Sequence, residues 1–376
     1  MQIHAIIIEF FCIIHMIRQI DKYISILELI LIMRNRLQKS GNSIKLSDVA
    51  AHAGVSTATV SRTLNSPAKV SAAVAGRVRD AIDELGYVPD AAARALASRR
   101  SRTIGALVPT LSNPIFADCI QAMEERLEGQ GYALVVASTD YTLDKELRQA
   151  RALLEHGVDA LLLTGSAHDD KLYQILEDHA VPYVNTWAGG TNDGHPFVGI
   201  DNIEAARRLT GYLLDLGHRH LGMIAGISAE NDRVRDRIAG VRRALDAKGL
   251  TLDPKHLIEK PYGIEHGREA MRDLLRQNPA PSAIIGGNDL LALGALLECQ
   301  AQGLNVPKDI SIAGFDDIDL AGHISPALTT MRVPTATMGR QAADYLLQRL
   351  SGDQATCEKT LDVELIVRAS TAPCHG

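Results

Sequence analysis

The sequence predicts an N-terminal all-α helix-turn-helix head joined to an α/β core of two doubly wound parallel-sheet subdomains. Three observations carry that expectation. Residues 46–65, LSDVAAHAGVSTATVSRTLN, have the apolar spacing and breakers of two short helices around a tight turn. From residue 103 apolar runs alternate with amphipathic helix-length segments, the pattern of parallel sheets covered on both faces. Charge is also divided along the chain. Residues 44–102 carry nine Lys/Arg against five Asp/Glu, while residues 103–376 carry 25 against 37, within an overall net charge of −6. A basic head on an acidic body confines attraction for a polyanion to one end. At 376 residues the chain has room for two or three domains with large cores.

In the head, Ser47 is the expected N-cap of the first helix, with Val49, Ala50 and Ala53 on its inward face. Gly54 ends that helix, because glycine accepts the left-handed backbone of a helix terminus. Ser56 caps the second helix, whose Val60 and Leu64 lie four apart on the side expected to be buried. Thr57, Ala58, Ser61 and Arg62 then face outward near its start, where a recognition helix presents its readers. Read alone, such a pair is as easily a small helical hairpin with a polar face. The next segment changes the balance. Ser71 opens a third helix whose Val74, Val78, Ala81, Ile82 and Leu85 can close a three-helix core. Gly86-Tyr87-Val88-Pro89 breaks the chain before a short alanine-rich helix, Asp90 to Ser98, and a basic run of Arg99, Arg100 and Arg102.

The run DVA…AGVS…TVSR…LN, the VS that opens the third helix, LGYVP and the AARALAS hinge resemble the lactose-repressor (LacI-type) family of transcription regulators. The resemblance extends over roughly residues 44–368. It implies five segments: an extension at 1–32, a DNA-binding head at 33–88, a hinge helix and linker at 89–102, an effector-binding and dimerisation domain at 103–370, and a short tail at 371–376. The implied partners are near-palindromic double-stranded operator DNA, a sugar-like effector and a second copy of the chain. Within the head, Arg62 suits a bidentate contact to guanine, and Thr57 and Ala58 suit a thymine methyl or base edge. Ser56 and Ser61 suit phosphates, and Ser47, Thr59 and Asn65 complete the DNA-binding set. Leu96 matches the family's apolar lever into the minor groove, and Ala93 keeps paired hinge helices slim. So short a helix is marginal alone, so it is expected to order only with DNA and its twin.

In the body, IGALVP, YALVVAS, VDALLLTG, PYVNT, FVGID, HLGMIAG, AIIGGN and ISIAGFD read as strands. The resemblance implies a periplasmic-binding-protein-like pair of subdomains, crossed three times by the chain, with ligand in the cleft between them. In open α/β sheets the binding crevice lies beyond the carboxyl ends of the strands. Polar and aromatic residues fall at those ends. Asn113 and Phe116 follow the first strand, Asn288 closes AIIGG, and Asp316 closes ISIAGF. Asp140, Thr164, Asn185 and Trp187 end other strands and are weaker candidates, open to purely structural roles as packing or capping groups. Arg235, five residues before Gly240, takes the family's effector-binding arginine position, and Tyr262 its aromatic position. The expected effector-binding set is therefore Asn113, Phe116, Asp140, Thr164, Trp187, Arg235, Tyr262, Asn288 and Asp316.

Other classes fit poorly. There is no GxxxxGK[ST] phosphate loop or GxGxxG dinucleotide fingerprint, and GISAE at 226–230 lacks the second glycine of a nucleophile elbow. Binding without turnover, and no cofactor or metal, is the expectation. Cys12, Cys119, Cys299, Cys357 and Cys374 lack metal spacing and fit reduced cytosolic thiols. HRH at 218–220 reads as connector polarity. The apolar stretch at 1–32 is interrupted by Glu9 and His15, too short and broken to span a membrane, and lacks the pattern of a signal peptide. It is read as an overcalled start, with Met33 the expected first residue. The ending APCHG offers no heptad tail for a tetramer.

Overall fold

The computed structural model describes residues 44–65, 67–89, 100–189, 194–354 and 356–374. The extension at 1–32 and the hinge residues Ala93 and Leu96 lie outside the described residues. The chain divides into two compact units, Met1–Arg94 and Ala95–Gly376.

The first unit contains α1 (Leu46–Ala53), α2 (Thr57–Asn65) and α3 (Ala72–Leu85). Val49, Ala50, Ala53, Val60, Val78 and Ala81 form its core. Gly54 closes α1 at φ 65°, the left-handed conformation that lets the chain turn into α2 without a Cβ penalty. Two expectations are corrected here. Helix α1 starts at Leu46, so Ser47 is an exposed residue of its first turn and not its cap. Asp48 reaches back to accept the Lys45 backbone N–H at 2.8 Å, which settles the helix entrance two residues earlier. Leu64 is 36% exposed, and Thr63 takes the inward position three residues after Val60. The Thr63 hydroxyl is satisfied there by the Thr59 carbonyl at 2.9 Å. Ser71 occupies the N-cap position of α3, but its side chain makes no capping bond.

The second unit holds two six-stranded sheets. The first has strand order β2-β1-β3-β4-β5-β11, comprising β1 (Thr103–Val108), β2 (Ala133–Ser138), β3 (Ala160–Thr164), β4 (Tyr183–Thr186), β5 (Phe197–Ile200) and β11 (Glu358–Leu361). All of its pairings are parallel. The second has order β7-β6-β8-β9-β10-β12, comprising β6 (Leu221–Ala225), β7 (Leu257–Glu259), β8 (Ala283–Gly286), β9 (Ser311–Asp316), β10 (Thr329–Arg332) and β12 (Glu364–Ile366). Its one antiparallel pair joins β12 to β10. The chain passes between the sheets three times: after β5, after β10, and between β11 and β12. The doubly wound two-subdomain core is therefore as expected.

Helices cover both faces of each sheet. In the first subdomain these are α4 (Pro114–Glu128) and α12 (Thr335–Leu350) on one side, with α5 (Leu143–Glu155) and α6 (Asp170–Asp178) on the other. In the second, α7 (Asn202–Asp215) and α8 (Asp232–Asp246) oppose α9 (Ile264–Leu275) and α10 (Asp289–Ala301), and the short α11 (Asp319–His323) follows β9. Strand alternation sorts the core. Ile104, Ala106 and Val108 join one layer, while Leu107 joins the other. Packed helices meet at glycines. A Cβ on Gly240 would come within 2.2 Å of the Ile203 carbonyl oxygen, and one on Gly339 within 2.1 Å of that of Cys119. Only a bare backbone permits those crossings.

His218 is more than connector polarity. Buried at 3% exposure, it hydrogen-bonds Ser282 through Nδ1 at 3.0 Å, and Ser311 and the Ala372 carbonyl through Nε2 at 3.1 Å each. It thereby fastens the C-terminal segment to the feet of β8 and β9. Burial, opposed by the bond to Ala372, pushes its pKa down. Cys119, Cys299, Cys357 and Cys374 are free thiols, the first three buried.

Candidate functional site

Two surfaces carry the chemistry, one on each unit. On the head, Ser56 Oγ accepts the Thr59 backbone N–H at 3.2 Å and lies 2.9 Å from the Thr59 hydroxyl, fixing the start of α2. Thr57, Ala58 and Arg62 are exposed and Ser61 is half-buried. Positions 57, 58, 61 and 62 share one helix face, so the four side chains form a continuous strip at the N-terminal end of α2. Asn65 closes the helix. A 2.7 Å contact between His52 Nε2 and Glu84 Oε2 ties α1 to α3 behind this strip. The result is a small rigid mount presenting one cation, hydroxyls and a methyl.

On the body, the carboxyl ends of both sheets face a common cleft. An inner chamber of about 20 Å³ is lined by Asn113, Ile115, Phe116, Tyr141, Trp187, Arg233, Arg237, Tyr262, Asn288 and Asp316. An outer chamber of about 550 Å³ opens beyond it, with Thr110, Ser112, Asp140, Thr142, Glu230 and Asn231 among its walls. The inner chamber has room for about one water, whereas the outer has the dimensions of a small-molecule pocket.

Helix starts position much of the inner wall. Asn113 caps α4 and Asn288 caps α10, their side-chain oxygens accepting the backbone N–H of Ile115 at 3.3 Å and Leu291 at 2.9 Å. Asn231 caps α8 in the same way through Val234. Three helix N-termini, each with partial positive charge, therefore converge on the cleft. Phe116, in the first turn of α4, tilts against Trp187 with ring centroids 4.9 Å apart. Tyr141 and Tyr262 meet at 5.5 Å between the two chambers.

The two buried arginines are anchored differently. Arg237 donates to the Asn202 side chain at 3.0 Å and the Gly287 carbonyl at 2.7 Å. Its guanidinium lies 3.7 Å over the Phe315 ring and 3.7 Å from Asp316 Oδ1. Arg233 donates to the Thr164 carbonyl at 3.1 Å and to Asp232 at 2.8 Å. It lies against Gly165 at φ 99°, where any Cβ would collide with the guanidinium. Burial works against charge on Asp232, but Arg233 and the amide and hydroxyl of Ser166 hold its pKa down to about 2. Burial raises Asp316 to about 7 despite Arg237. Burial, with help from Asp316, raises Asp289 well above the usual carboxylate range. Burial likewise raises Tyr141 and Tyr262.

Six sequence candidates thus line the inner chamber: Asn113, Phe116, Trp187, Tyr262, Asn288 and Asp316. Asp140 lies on the outer chamber, exposed and 2.5 Å from Lys145. Thr164 is buried in the wall, its hydroxyl donating to Leu107 O at 2.9 Å and its carbonyl receiving Arg233. Asn185 is likewise internal, bonded to the Tyr173 hydroxyl at 2.8 Å. Arg235 is a correction. It is exposed, donates to the Ser228 carbonyl at 3.0 Å and lines neither chamber. Residues 233 and 237 are four apart on one helix face, which places 235 on the opposite side. The buried stripe of Val234, Ile238 and Val241 carried that phase information. Tyr141 left no comparable signal, because it sits at φ 60° in a loop whose direction no periodicity specifies.

A reader helix on one unit and a ligand-sized cleft between doubly wound subdomains on the other define a DNA-binding regulator with a small-molecule-binding body. The comparisons agree. Residues 45–90 match the bacterial regulatory proteins of the lacI family, and residues 101–367 match the periplasmic binding proteins and sugar binding domain of the LacI family. The HTH-type transcriptional repressor CytR of Escherichia coli K12 is 34% identical over 337 residues, covering 89% of this chain and 98% of the relative. Among solved structures, the lac repressor dimer bound to operator and the anti-inducer ONPF aligns with TM-score 0.78 at 27% identity, covering 88% of this chain and 100% of that one. The transcriptional regulator CelR–cellobiose complex aligns with TM-score 0.65 at 33% identity, covering 87% and 99%. The chain belongs to the LacI family of bacterial transcription regulators.

Proposed function

We propose that this regulator is a repressor that binds a near-palindromic operator as a homodimer and is controlled by a small sugar-like effector held in the cleft. The observation that carries the proposal is the strip of Thr57, Ala58, Ser61 and Arg62 on α2, in one chain with a cleft whose walls come from both subdomains. Arg62 reads guanine, Thr57 and Ala58 meet neighbouring base edges, and Ser47, Ser56, Thr59, Ser61 and Asn65 hold phosphates or support that contact. Leu96 and Ala93 act from the hinge at the operator centre. In the cleft, Asn113, Phe116, Trp187, Tyr262, Asn288 and Asp316 contact effector, joined by Tyr141, Arg233 and Arg237.

Control follows from the fold. An effector that changes the distance between subdomains shifts the population of operator-competent dimers, and a coupling of about 1–3 kcal/mol changes affinity roughly 5- to 150-fold. The CelR complex with cellobiose supports a sugar-like ligand, and the lac repressor dimer bound to operator supports that assembly. The protein binds without turnover, uses no cofactor and works in the cytoplasm, where the DNA is. Among the described residues no helix is long and apolar enough to cross a membrane.

The test is selection of genomic fragments by the purified full chain, repeated across a compound panel. Enrichment of one near-palindrome whose recovery changes with a single compound is expected. Failure to enrich any palindrome in every condition overturns the proposal.

A further inference from the structure

We infer that the cleft is built for a polyhydroxylated carboxylate, a sugar acid, in preference to a neutral sugar; the inference rests on the reading of the cleft as the effector site. Its starting point is three buried polar atoms without hydrogen-bond partners: Trp187 Nε1, Asn288 Nδ2 and the Tyr141 hydroxyl. All three residues line the inner chamber. Trp187 and Asn288 are 2% and 1% exposed.

Each of these atoms can donate; the indole N–H and the amide NH2 only donate, while the Tyr141 hydroxyl can also accept. The Asn288 amide is oriented by its capping bond, since its oxygen is committed to the Leu291 N–H at 2.9 Å and its NH2 is what remains. Tyr141 keeps its proton, because burial raises its phenol further. Arg233 and Arg237 add two guanidinium groups, and three helix N-termini add positive potential.

The acceptors nearby are largely committed. Asn113 and Asn231 give their oxygens to Ile115 and Val234. Asp232 is taken by Ser166 and Arg233, and Asp289 by the Thr330 hydroxyl at 2.6 Å and the Ile318 N–H at 2.9 Å. Asp316 alone among the chamber's carboxylates faces the space, beside Arg237. A sugar hydroxyl brings a proton that needs an acceptor, whereas a carboxylate accepts several bonds and donates none. Buried unmet donors are costly until satisfied, so the wall favours the acceptor-only group. At about 20 Å³ the inner chamber has to widen, by separation of the subdomains, to admit the carboxylate. Its polyol chain extends past the Tyr141–Tyr262 pair into the outer chamber, where Thr110, Ser112, Asp140, Thr142 and Glu230 offer both donors and acceptors.

Titration calorimetry on the full chain tests this with matched probes: D-gluconate against D-glucose, D-galacturonate against D-galactose, and D-glucose 6-phosphate as the phosphate arm. One carboxylate is expected to bind at least about tenfold tighter than its neutral partner and than the phosphate. Trp187→Phe keeps the ring and removes the N–H, while Asn288→Asp keeps the capping oxygen and removes the NH2. Each is expected to weaken the acid about tenfold while a thermal melt shows the protein folded. Preference for a neutral sugar or for the phosphate overturns the carboxylate assignment and leaves the effector site standing. Unchanged acid affinity in both variants also overturns it. No binding by any probe overturns the assignment together with the effector reading.

Discussion

Asp232 and Ser166 join the two subdomains across the cleft. Asp232 Oδ2 accepts the Ser166 backbone N–H at 2.6 Å and its hydroxyl at 2.8 Å. Two neighbours reinforce the link: Arg233 donates to Thr164 O at 3.1 Å, and Glu230 Oε2 accepts the Leu143 N–H at the start of α5 at 3.0 Å. The stretch from Glu230 to Arg233 in one subdomain therefore holds Leu143, Thr164 and Ser166 in the other. An effector that separates the subdomains has to break these contacts.

The Asp232 link is sensitive to acid in a defined direction. Its folded pKa of about 2 lies below the ordinary 3.8, so its contribution is present above about pH 4 and is lost as pH falls towards 2. Asp232→Asn should cost about 2 kcal/mol at pH 7 and less as the pH is lowered through that window. Urea unfolding at pH 7, 4 and 3 checks it. A variant as stable as the parent at pH 7 would remove the link from the account.

The arginines of α8 separate by helix phase. Arg235→Ala should leave effector affinity within about twofold, since the side chain lines neither chamber. Arg237→Ala should abolish the effector response and destabilise the fold by about 1–3 kcal/mol, because the buried Asn202 side chain and Gly287 carbonyl lose their donor and Asp316 is left to take up a proton. Calorimetry and melting curves on both variants make the comparison; equal losses at 235 and 237 would contradict the geometry.

Effector binding is expected to depend on pH through Asp316. Its pKa of about 7 is raised by burial and eased by Arg237. Raising the pH from about 6 to 8 adds a negative charge to the chamber, so affinity for a carboxylate falls across that range. Because the folded pKa exceeds the unfolded one, ionisation also removes stability as pH climbs through 7. Asp316→Asn should flatten both profiles. A parent protein whose affinity is level from pH 6 to 8 would refute this assignment.

On the head, Arg62→Ala should cost about 1–3 kcal/mol at one base pair per half-site and relax the preference there. Ser56→Ala should instead weaken all sequences alike, by removing the hydroxyl that fixes the start of α2. Binding to a set of singly substituted operators distinguishes the two patterns.

Features tied to local chemistry were legible in the sequence. Gly54 and Ser56 mark the turn because a left-handed residue and a capping hydroxyl act on their own neighbours. The strands at 103–108 and 160–164 were legible because both faces are buried, which leaves continuous apolar runs. Short edge strands such as β11 and β12 left no such run, because they are half-exposed. Asn113, Asn288 and Asp316 were legible as lining residues of the chamber because strand ends place them in the crevice. Arg233, Arg237 and Tyr141 were missed, since helix phase, loop direction and the approach of a second subdomain decide which way they point. The Asp232–Ser166 link was out of reach for the same reason: its partners are 66 residues apart.

If effector and operator binding are coupled through one chain, each changes the other's affinity by the same factor. Effector affinity would be measured by calorimetry with and without saturating operator, and operator affinity with and without saturating effector. Both ratios are expected to be equal, to differ from one and to fall within roughly 5- to 150-fold. An effector that binds with the same affinity whether or not operator is present would contradict the coupling.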